Sequence, residues 1–201
     1  MPLKPPPTGF SGKKLPTKSV SVESLVRIGG RSTGEPYFGA RAANRFDDPG
    51  KSYGTAYFGR DLTTAIAETV LHDQLPDGGK FKVVAAAIDT RFVVTCKERT
   101  AGEKLKLAKL TGVYLKRMGG DNKLSAEYPY GTTQQWSAAV QEHPDMVDGF
   151  VYVSNQLNDK EAVVVFDRAK AKFGDVTYTP LRSAKGLKQA IKRLGIEIVD
   201  P

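Results

Sequence analysis

Two apolar runs in the last third of the chain constrain its fold more than any other feature. They are "GFVYVS" (residues 149–154) and "EAVVVFD" (residues 161–167), and both have the length and the β-branched and aromatic content of buried strands. Only the polar loop "NQLNDK" separates them, so we expect two strands of one sheet. Upstream, further strand patterns alternate with helical ones. This order predicts a mixed α/β or α+β domain with a substantially antiparallel sheet. The expected class is an α+β fold, a single domain with a mixed, largely antiparallel sheet and several helices.

The other elements are predicted from local periodicity, capping residues and turn signals. They are strands over residues 19–28, 53–58, 79–90 and 91–95, and helices over residues 62–72, 103–118 and 132–143. The stretch between the last two helices, residues 119–131, is expected to be a long irregular loop, and loops of that length are often functional.

The N-terminal sequence "MPLKPPPTGFSGKKLPTKS" is rich in Pro, Gly, Lys and Ser. This composition is typical of a flexible segment, so we expect a flexible arm over residues 1–20 and a folded domain over residues 21–201. The arm lacks the continuous apolar core of a secretory signal, and no apolar run approaches the length of a membrane span. We therefore expect a cytoplasmic protein.

The formal net charge of +8 raises the question of a polyanionic partner. Positive charge gathers in the arm, in residues 97–118 and in the tail from Arg168 to Arg193. These segments lack the interleaved aromatic residues of a single-strand-binding surface. Solvated helix faces are the favoured interpretation, and a nucleic-acid-binding or purely interacting protein is the non-enzymatic alternative.

The sequence contains neither a usual zinc-binding pattern nor a phosphate-binding glycine motif. Its one cysteine, Cys96, excludes an internal disulfide, and together with His72 and His143 it cannot complete a zinc site of the common kinds. Neither GxxxxGK[ST] nor GxGxxG is present. We expect no metal and no resident cofactor.

One carboxylate stands out in "AYFGRDLTTAIAETVLHD". Between Asp61 and Asp73 the only acidic residue is Glu68, in a helix whose other side chains are mostly apolar. A structural explanation is an ion pair with an arginine or with His72, four residues further along the same helix. A functional explanation is that Glu68 faces a polar cleft.

Four further residues lie in loops or at the ends of predicted strands, where binding and catalytic side chains are commonly placed. They are Arg27, Arg45, Tyr57 and Ser154. Each also has a structural explanation, because arginine is usually exposed, tyrosine often packs in a core, and serine often caps a turn.

Two segments give these residues a common context. "NRFDDPGKSYGTAYFGRDLTTAIAETVLH" and "QQWSAAVQEHPDMVDGFVYVSNQLNDKEAVVVFDR" resemble the RES-domain family, which is named after an arginine, a glutamate and a serine. The resemblance covers most of residues 22–168 and leaves residues 169–201 as a basic C-terminal extension. The chain departs from the family in having Ala-Asn-Arg-Phe where Gly-Gly-Arg-Trp is common. By this resemblance the named residues are Arg45, Glu68 and Ser154, and Arg27 and Tyr57 match further positions.

The resemblance implies a fold similar to ADP-ribosyltransferase toxins and a reaction on NAD as substrate. The expected reaction is cleavage of the nicotinamide–ribose bond with water or phosphate as acceptor, or transfer of ADP-ribose to a protein. The expected partner is a helix-turn-helix antitoxin. Glu68, Arg45 and Ser154 are then the catalytic candidates, and Arg27, Arg45, Tyr57 and Ser154 the NAD-binding ones. Arginine suits the pyrophosphate, the Tyr57 ring suits the nicotinamide, and the Ser154 hydroxyl suits a ribose hydroxyl or the carboxamide.

Overall fold

A computed structural model describes residues 2–200. It contains ten strands, which are β1 (Thr17–Val20), β2 (Arg27–Gly29), β3 (Thr55–Gly59), β4 (Phe81–Val84), β5 (Phe92–Glu98), β6 (Leu105–Leu110), β7 (Gly149–Val153), β8 (Glu161–Phe166), β9 (Phe173–Pro180) and β10 (Ile196–Val199). The α-helices are α1 (Leu62–Thr69), α2 (Ala86–Asp89), α3 (Gly112–Met118), α4 (Gly131–Gln141) and α5 (Leu187–Leu194). No helix in this described part of the chain is long and apolar enough to cross a membrane.

The strands form three sheets. The largest has the order β1-β6-β7-β8-β3, and only its β6–β7 pair is parallel. A second sheet, β2-β5-β9, is antiparallel, and β10 pairs in parallel with β4. The two apolar runs of the sequence are β7 and β8, which pair antiparallel near the middle of the largest sheet. The predicted α+β fold with a largely antiparallel sheet is confirmed.

The predicted helix over residues 103–118 is wrong in its first half. Residues 105–110 form β6, and the helix α3 begins only at Gly112. In "LKLAKL" the side chains of Leu105 and Leu107 are buried while Lys106 is exposed, which is the two-residue period of a strand. Pairing with β1 on one side and β7 on the other decides this structure, and a single segment does not reveal those partners.

Two predicted strands are also shorter than expected. The segment 19–28 is broken by a single 3₁₀ turn over Val22–Ser24, where the Ser21 side chain caps the turn by accepting from Glu23 N. The segment 79–90 is a strand only over Phe81–Val84 and continues as the short helix α2. In both places a local turn ends the hydrogen bonding between strands before the apolar sequence pattern ends.

The predicted flexible arm is contradicted by the packing of the N-terminal segment. Leu3, Phe10 and Leu15 are buried in the core beside the largest sheet. The Phe10 ring meets the Trp136 ring edge to face with centroids 5.5 Å apart, and Trp136 Nε1 donates a 2.8 Å hydrogen bond to Lys4 O. Composition is an average over the whole segment, whereas three apolar side chains at separate positions are enough to anchor it. Met1 lies outside the described residues.

Helix α1 is held close to β3 by a tight turn. Asp61 caps the helix by accepting from Thr64 N at 2.7 Å. At Gly59 a Cβ atom would lie 2.5 Å from Ala65 N, so only glycine permits this approach. The helix ends at Thr69 rather than at His72, and α5 packs against it through Leu187 and other apolar residues of one core cluster.

Candidate active site

A cleft of about 350 Å³ opens at the junction of the two larger sheets. Val26 and Gly59 exchange two backbone hydrogen bonds there, which join the start of β2 to the end of β3. The cleft is bounded by β2, β3, α1 and the loops that carry Arg45 and Tyr130. Four of the five site residues expected from the sequence line it, namely Arg27, Arg45, Tyr57 and Glu68.

Glu68 occupies the last turn of α1 and is partly exposed, while the three residues before it are buried. Its Oε1 accepts hydrogen bonds from Ser154 Oγ and, at 3.3 Å, from Gln156 N. Its Oε2 has no hydrogen-bond partner among residues 2–200. The carboxylate is therefore held by one oxygen and free at the other.

An ion pair, the structural explanation for Glu68, does not apply. Within the described chain Glu68 takes part in no ion pair with an arginine. His72 also lines the cleft, but its nearest acidic partner is Asp73, 3.8 Å away. The lone carboxylate of the helix is explained by the cleft that it faces.

Ser154 lies behind Glu68 and not in the wall of the cleft. Its side chain is 1% exposed. The hydroxyl donates to Glu68 Oε1 and accepts a 3.0 Å bond from Leu157 N. With both functions engaged inside the protein, this serine is placed to orient the carboxylate.

Tyr57 presents its ring to the cleft and its hydroxyl to the protein. The hydroxyl donates to Asp47 Oδ1 at 2.9 Å and accepts from Phe46 N at 3.0 Å. Burial and the adjacent Asp47 carboxylate hold the pKa of Tyr57 well above its usual value. The ring is consequently neutral and rigidly placed.

Asp47 is a structural residue of the site that the sequence reasoning missed. It is 1% exposed and also accepts from Thr55 Oγ1 at 2.7 Å, Ala43 N at 3.1 Å and Asn44 N at 3.0 Å. These bonds tie the loop before Arg45 to strand β3. The sequence pattern that could have revealed this role is "NRFDD", because an aspartate three residues after Asn44 can accept hydrogen bonds that close a turn.

The two arginines are held in different ways. Arg27 Nε donates to Glu35 Oε2 at 2.8 Å, and its Nη1 donates to Tyr57 O at 3.1 Å. Arg45 Nη1 donates to Glu127 O at 2.7 Å, and its guanidinium lies over the Tyr130 ring, 4.8 Å from the centroid. Each arginine keeps further N–H groups that these contacts do not use.

A second cavity of about 440 Å³ adjoins the first and shares Arg27, Asn44 and Tyr57 with it. Arg31 and Arg41 line this second cavity. Arginines therefore line both of these neighbouring cavities.

The sequence of this chain matches that of a known domain family. The model of the RES domain matches residues 24–184, which is most of the chain. The chain belongs to the RES-domain family. No curated protein matches the chain. A chain of the M. tuberculosis MbcT–MbcA toxin–antitoxin complex is similar in structure, with a TM-score of 0.55 and 12% identity over 89% of this chain and 99% of that one.

The RES domain of this protein is thus a single α+β unit, and its fold is similar to that of the chain from the toxin–antitoxin complex. The matched range contains all five site residues predicted from the sequence. Residues 185–200, which lie beyond it, form α5 and β10 and pack against α1 and β4. Residues 169–200 of the basic C-terminal extension are therefore a folded part of the domain.

Proposed function

We propose that this RES domain consumes NAD by cleaving its nicotinamide–ribose bond, with water or phosphate as the acceptor. The observation that carries the proposal is the state of Glu68, a carboxylate held by Ser154 Oγ and Gln156 N at one oxygen and free at the other, in a cleft with two arginines. Such a group is ready to act on charge that develops during a reaction.

The chemistry assigns a task to that free oxygen. When the bond between the ribose C1′ and the nicotinamide nitrogen breaks, its electron pair leaves with nicotinamide, which becomes neutral, and positive charge develops on the ribose ring. Glu68 Oε2 stabilises this charge or accepts a hydrogen bond that orients the attacking oxygen. The acceptor oxygen then bonds to C1′. A water molecule releases its proton to the solvent in this step, whereas an ionised phosphate oxygen has no proton to lose. Where the bound substrate displaces water from the cleft, one fixed charge acts more strongly than it does in water.

The remaining residues supply binding and orientation. The free N–H groups of Arg27 and Arg45 match phosphate oxygens, and the second cavity gives the adenosine half room beside Arg31 and Arg41. The Tyr57 ring offers a flat surface for the nicotinamide. Ser154 acts through Glu68, because its buried hydroxyl is already engaged. This differs from the direct substrate contact expected from the sequence.

Transfer of ADP-ribose to a protein side chain is the second candidate, since it begins with the same bond cleavage and differs only in the acceptor. A toxin role is supported by membership of the RES-domain family and by the similarity in structure to a chain of a toxin–antitoxin complex. We propose accordingly that this protein is the toxin of such a pair and that a helix-turn-helix antitoxin is its partner.

Nicotinamide release from NAD tests the proposed function directly. Purified protein is incubated with NAD with and without inorganic phosphate, and nicotinamide, ADP-ribose and ADP-ribose 1″-phosphate are separated by chromatography. We expect nicotinamide release by the wild-type protein and almost none by Glu68→Gln. Nicotinamide release at the background level by both proteins contradicts the proposal and favours the non-enzymatic alternative.

A further inference from the structure

One residue of the cleft has a polar group that neither the fold nor the proposed mechanism uses. Tyr152 of β7 lines the cleft, yet it is only 3% exposed and belongs to the core cluster beside the largest sheet. Its ring is fixed by edge-to-face contacts with Phe46, 4.8 Å between centroids, and with Phe150, 6.3 Å. A ring held in this way fixes the direction of its hydroxyl.

The hydroxyl of Tyr152 has no hydrogen-bond partner in the part of the chain that the structure describes, in contrast to those of Tyr53 and Tyr57. Every fully enclosed side-chain nitrogen or oxygen in that part does have a partner. The hydroxyl oxygen therefore keeps some accessible surface, and the open space that Tyr152 borders is the cleft. A hydroxyl that has no protein partner and borders a cleft is available to bind a ligand.

The position of Tyr152 along β7 indicates which part of a ligand it meets. Side chains two residues apart on a strand point to the same side, about 7 Å from each other, and Ser154 on that side is bonded to Glu68. Burial and the nearby Glu68 carboxylate hold the pKa of Tyr152 well above its usual value, against the effect of Arg45. The group is therefore a neutral O–H donor beside the carboxylate.

We propose that the Tyr152 hydroxyl donates a hydrogen bond to an uncharged oxygen of the nicotinamide riboside half of NAD, either the carboxamide oxygen or a ribose hydroxyl. This inference rests on the proposed function, since it takes Glu68 as the marker of the scissile bond. Tyr152 is then a substrate-contacting residue, and it complements Tyr57, which offers a ring face while its own hydroxyl is engaged by Asp47 and Phe46.

Tyr152→Phe and Tyr53→Phe form a matched pair for the test. Tyr53 is buried in the same core cluster, but its hydroxyl donates to Ser137 Oγ at 3.3 Å and it lies outside the cleft. We expect Tyr152→Phe to lower kcat/KM for NAD about tenfold, the scale of one hydrogen bond, with an unchanged or raised melting temperature. We expect Tyr53→Phe to show the reverse, a lower melting temperature with unchanged kcat/KM.

The thionicotinamide analogue of NAD separates the two acceptors, because its sulfur accepts hydrogen bonds weakly. A smaller effect of Tyr152→Phe on the analogue than on NAD assigns the bond to the carboxamide oxygen, and an equal effect assigns it to a ribose hydroxyl. The proposal is overturned if Tyr152→Phe keeps wild-type kcat/KM for NAD, or if its loss of activity disappears after correction for the folded fraction.

Failure of the proposed function is recognised separately. If the wild-type protein releases no nicotinamide, the reaction is wrong, and Tyr152 is judged by NAD binding in a calorimetric titration. About tenfold weaker binding to Tyr152→Phe than to the wild type supports the contact. Equal binding to both proteins, or binding to neither, overturns it.

Discussion

Ser154 Oγ donates a hydrogen bond to Glu68 Oε1 and so connects the end of β7 to the last turn of α1. The two residues are 86 positions apart in the sequence. Because Leu157 N in turn donates to Ser154 Oγ, the loop after β7 and the carboxylate are held as one unit. This relationship supports the proposed positioning task of Ser154, and it leaves Oε2 of Glu68 without a hydrogen-bond partner among residues 2–200.

Glu68→Gln is expected to leave the fold intact and to abolish most of the turnover. The amide oxygen can still accept from Ser154, whereas the charge is lost. Removal of one preorganised electrostatic group costs about 100- to 1000-fold in kcat, or roughly 2.7–4 kcal/mol. Nicotinamide release and melting temperature are measured on the same sample. A variant that unfolds readily but whose folded fraction is fully active contradicts the assignment.

Ser154→Ala is expected to reduce kcat more than it raises KM, since it frees the Glu68 carboxylate to move. Leu157 N also loses its acceptor, so the free energy of unfolding should fall by about 1–3 kcal/mol. Ser137→Ala is the matched control, because Ser137 is a fully buried serine whose hydroxyl bonds Phe46 O away from the cleft. If both variants lose stability alike and neither loses activity, the positioning task is excluded.

Arg27→Lys and Arg45→Lys are each expected to raise KM for NAD about tenfold, because an ammonium group does not reproduce the planar fork of donors. Initial rates at low NAD concentration provide the measurement. Arg182→Lys serves as the control, since Arg182 is exposed and pairs with Asp89 on α2. Full activity of both cleft variants at low NAD contradicts a phosphate-binding task.

Phe10→Ala is expected to lower the free energy of unfolding by about 3–5 kcal/mol, as for other buried phenylalanines. Denaturant unfolding followed by Trp136 fluorescence gives the measurement, because the two rings are in contact. Lys14→Ala, in the same segment but exposed, should have almost no effect. Equal stability of Phe10→Ala and the wild type would restore the flexible arm expected from composition.

The cap of α1 predicts a dependence of stability on pH. Burial acts to raise the pKa of Asp61, but hydrogen bonds from Thr64 and the charge of Lys160 outweigh it, so the pKa lies below 3.8. A lowered pKa in the folded state stabilises the protein above the unfolded value and ceases to do so as the pH falls through the folded one. Asp61→Asn, which keeps a capping side chain, should therefore have a lower free energy of unfolding than the wild type at pH 6. This difference in free energy should disappear in acid. A difference that stays constant down to pH 2 contradicts this.

Local patterns determined the parts of the fold that depend on neighbours in sequence. The apolar runs of β7 and β8 and the Asp61 cap of α1 were readable because each depends on its own segment. The segments around Glu68 and Ser154 carried the resemblance to the RES domain, and the family match confirms it. The tasks of Arg27, Arg45, Tyr57, Glu68 and Ser154 in NAD cleavage remain predictions.

Tertiary structure decided what depends on partners distant in the chain. The segment 105–110 is a strand because β1 and β7 lie on either side of it, and the N-terminal segment is ordered because Trp136 and its neighbours cover Phe10. The alternation of "GFVYVS" indicates that Tyr152 and Ser154 lie on one side of a strand. It does not indicate which of their two hydroxyl groups has a hydrogen-bond partner. A hydrogen bond is decided by the geometry of both groups. For this reason the sequence by itself indicated that Glu68 is an unusual carboxylate. Only the folded structure showed that Ser154 donates a hydrogen bond to it, whereas the Tyr152 hydroxyl has no partner in the described part of the chain and borders the cleft.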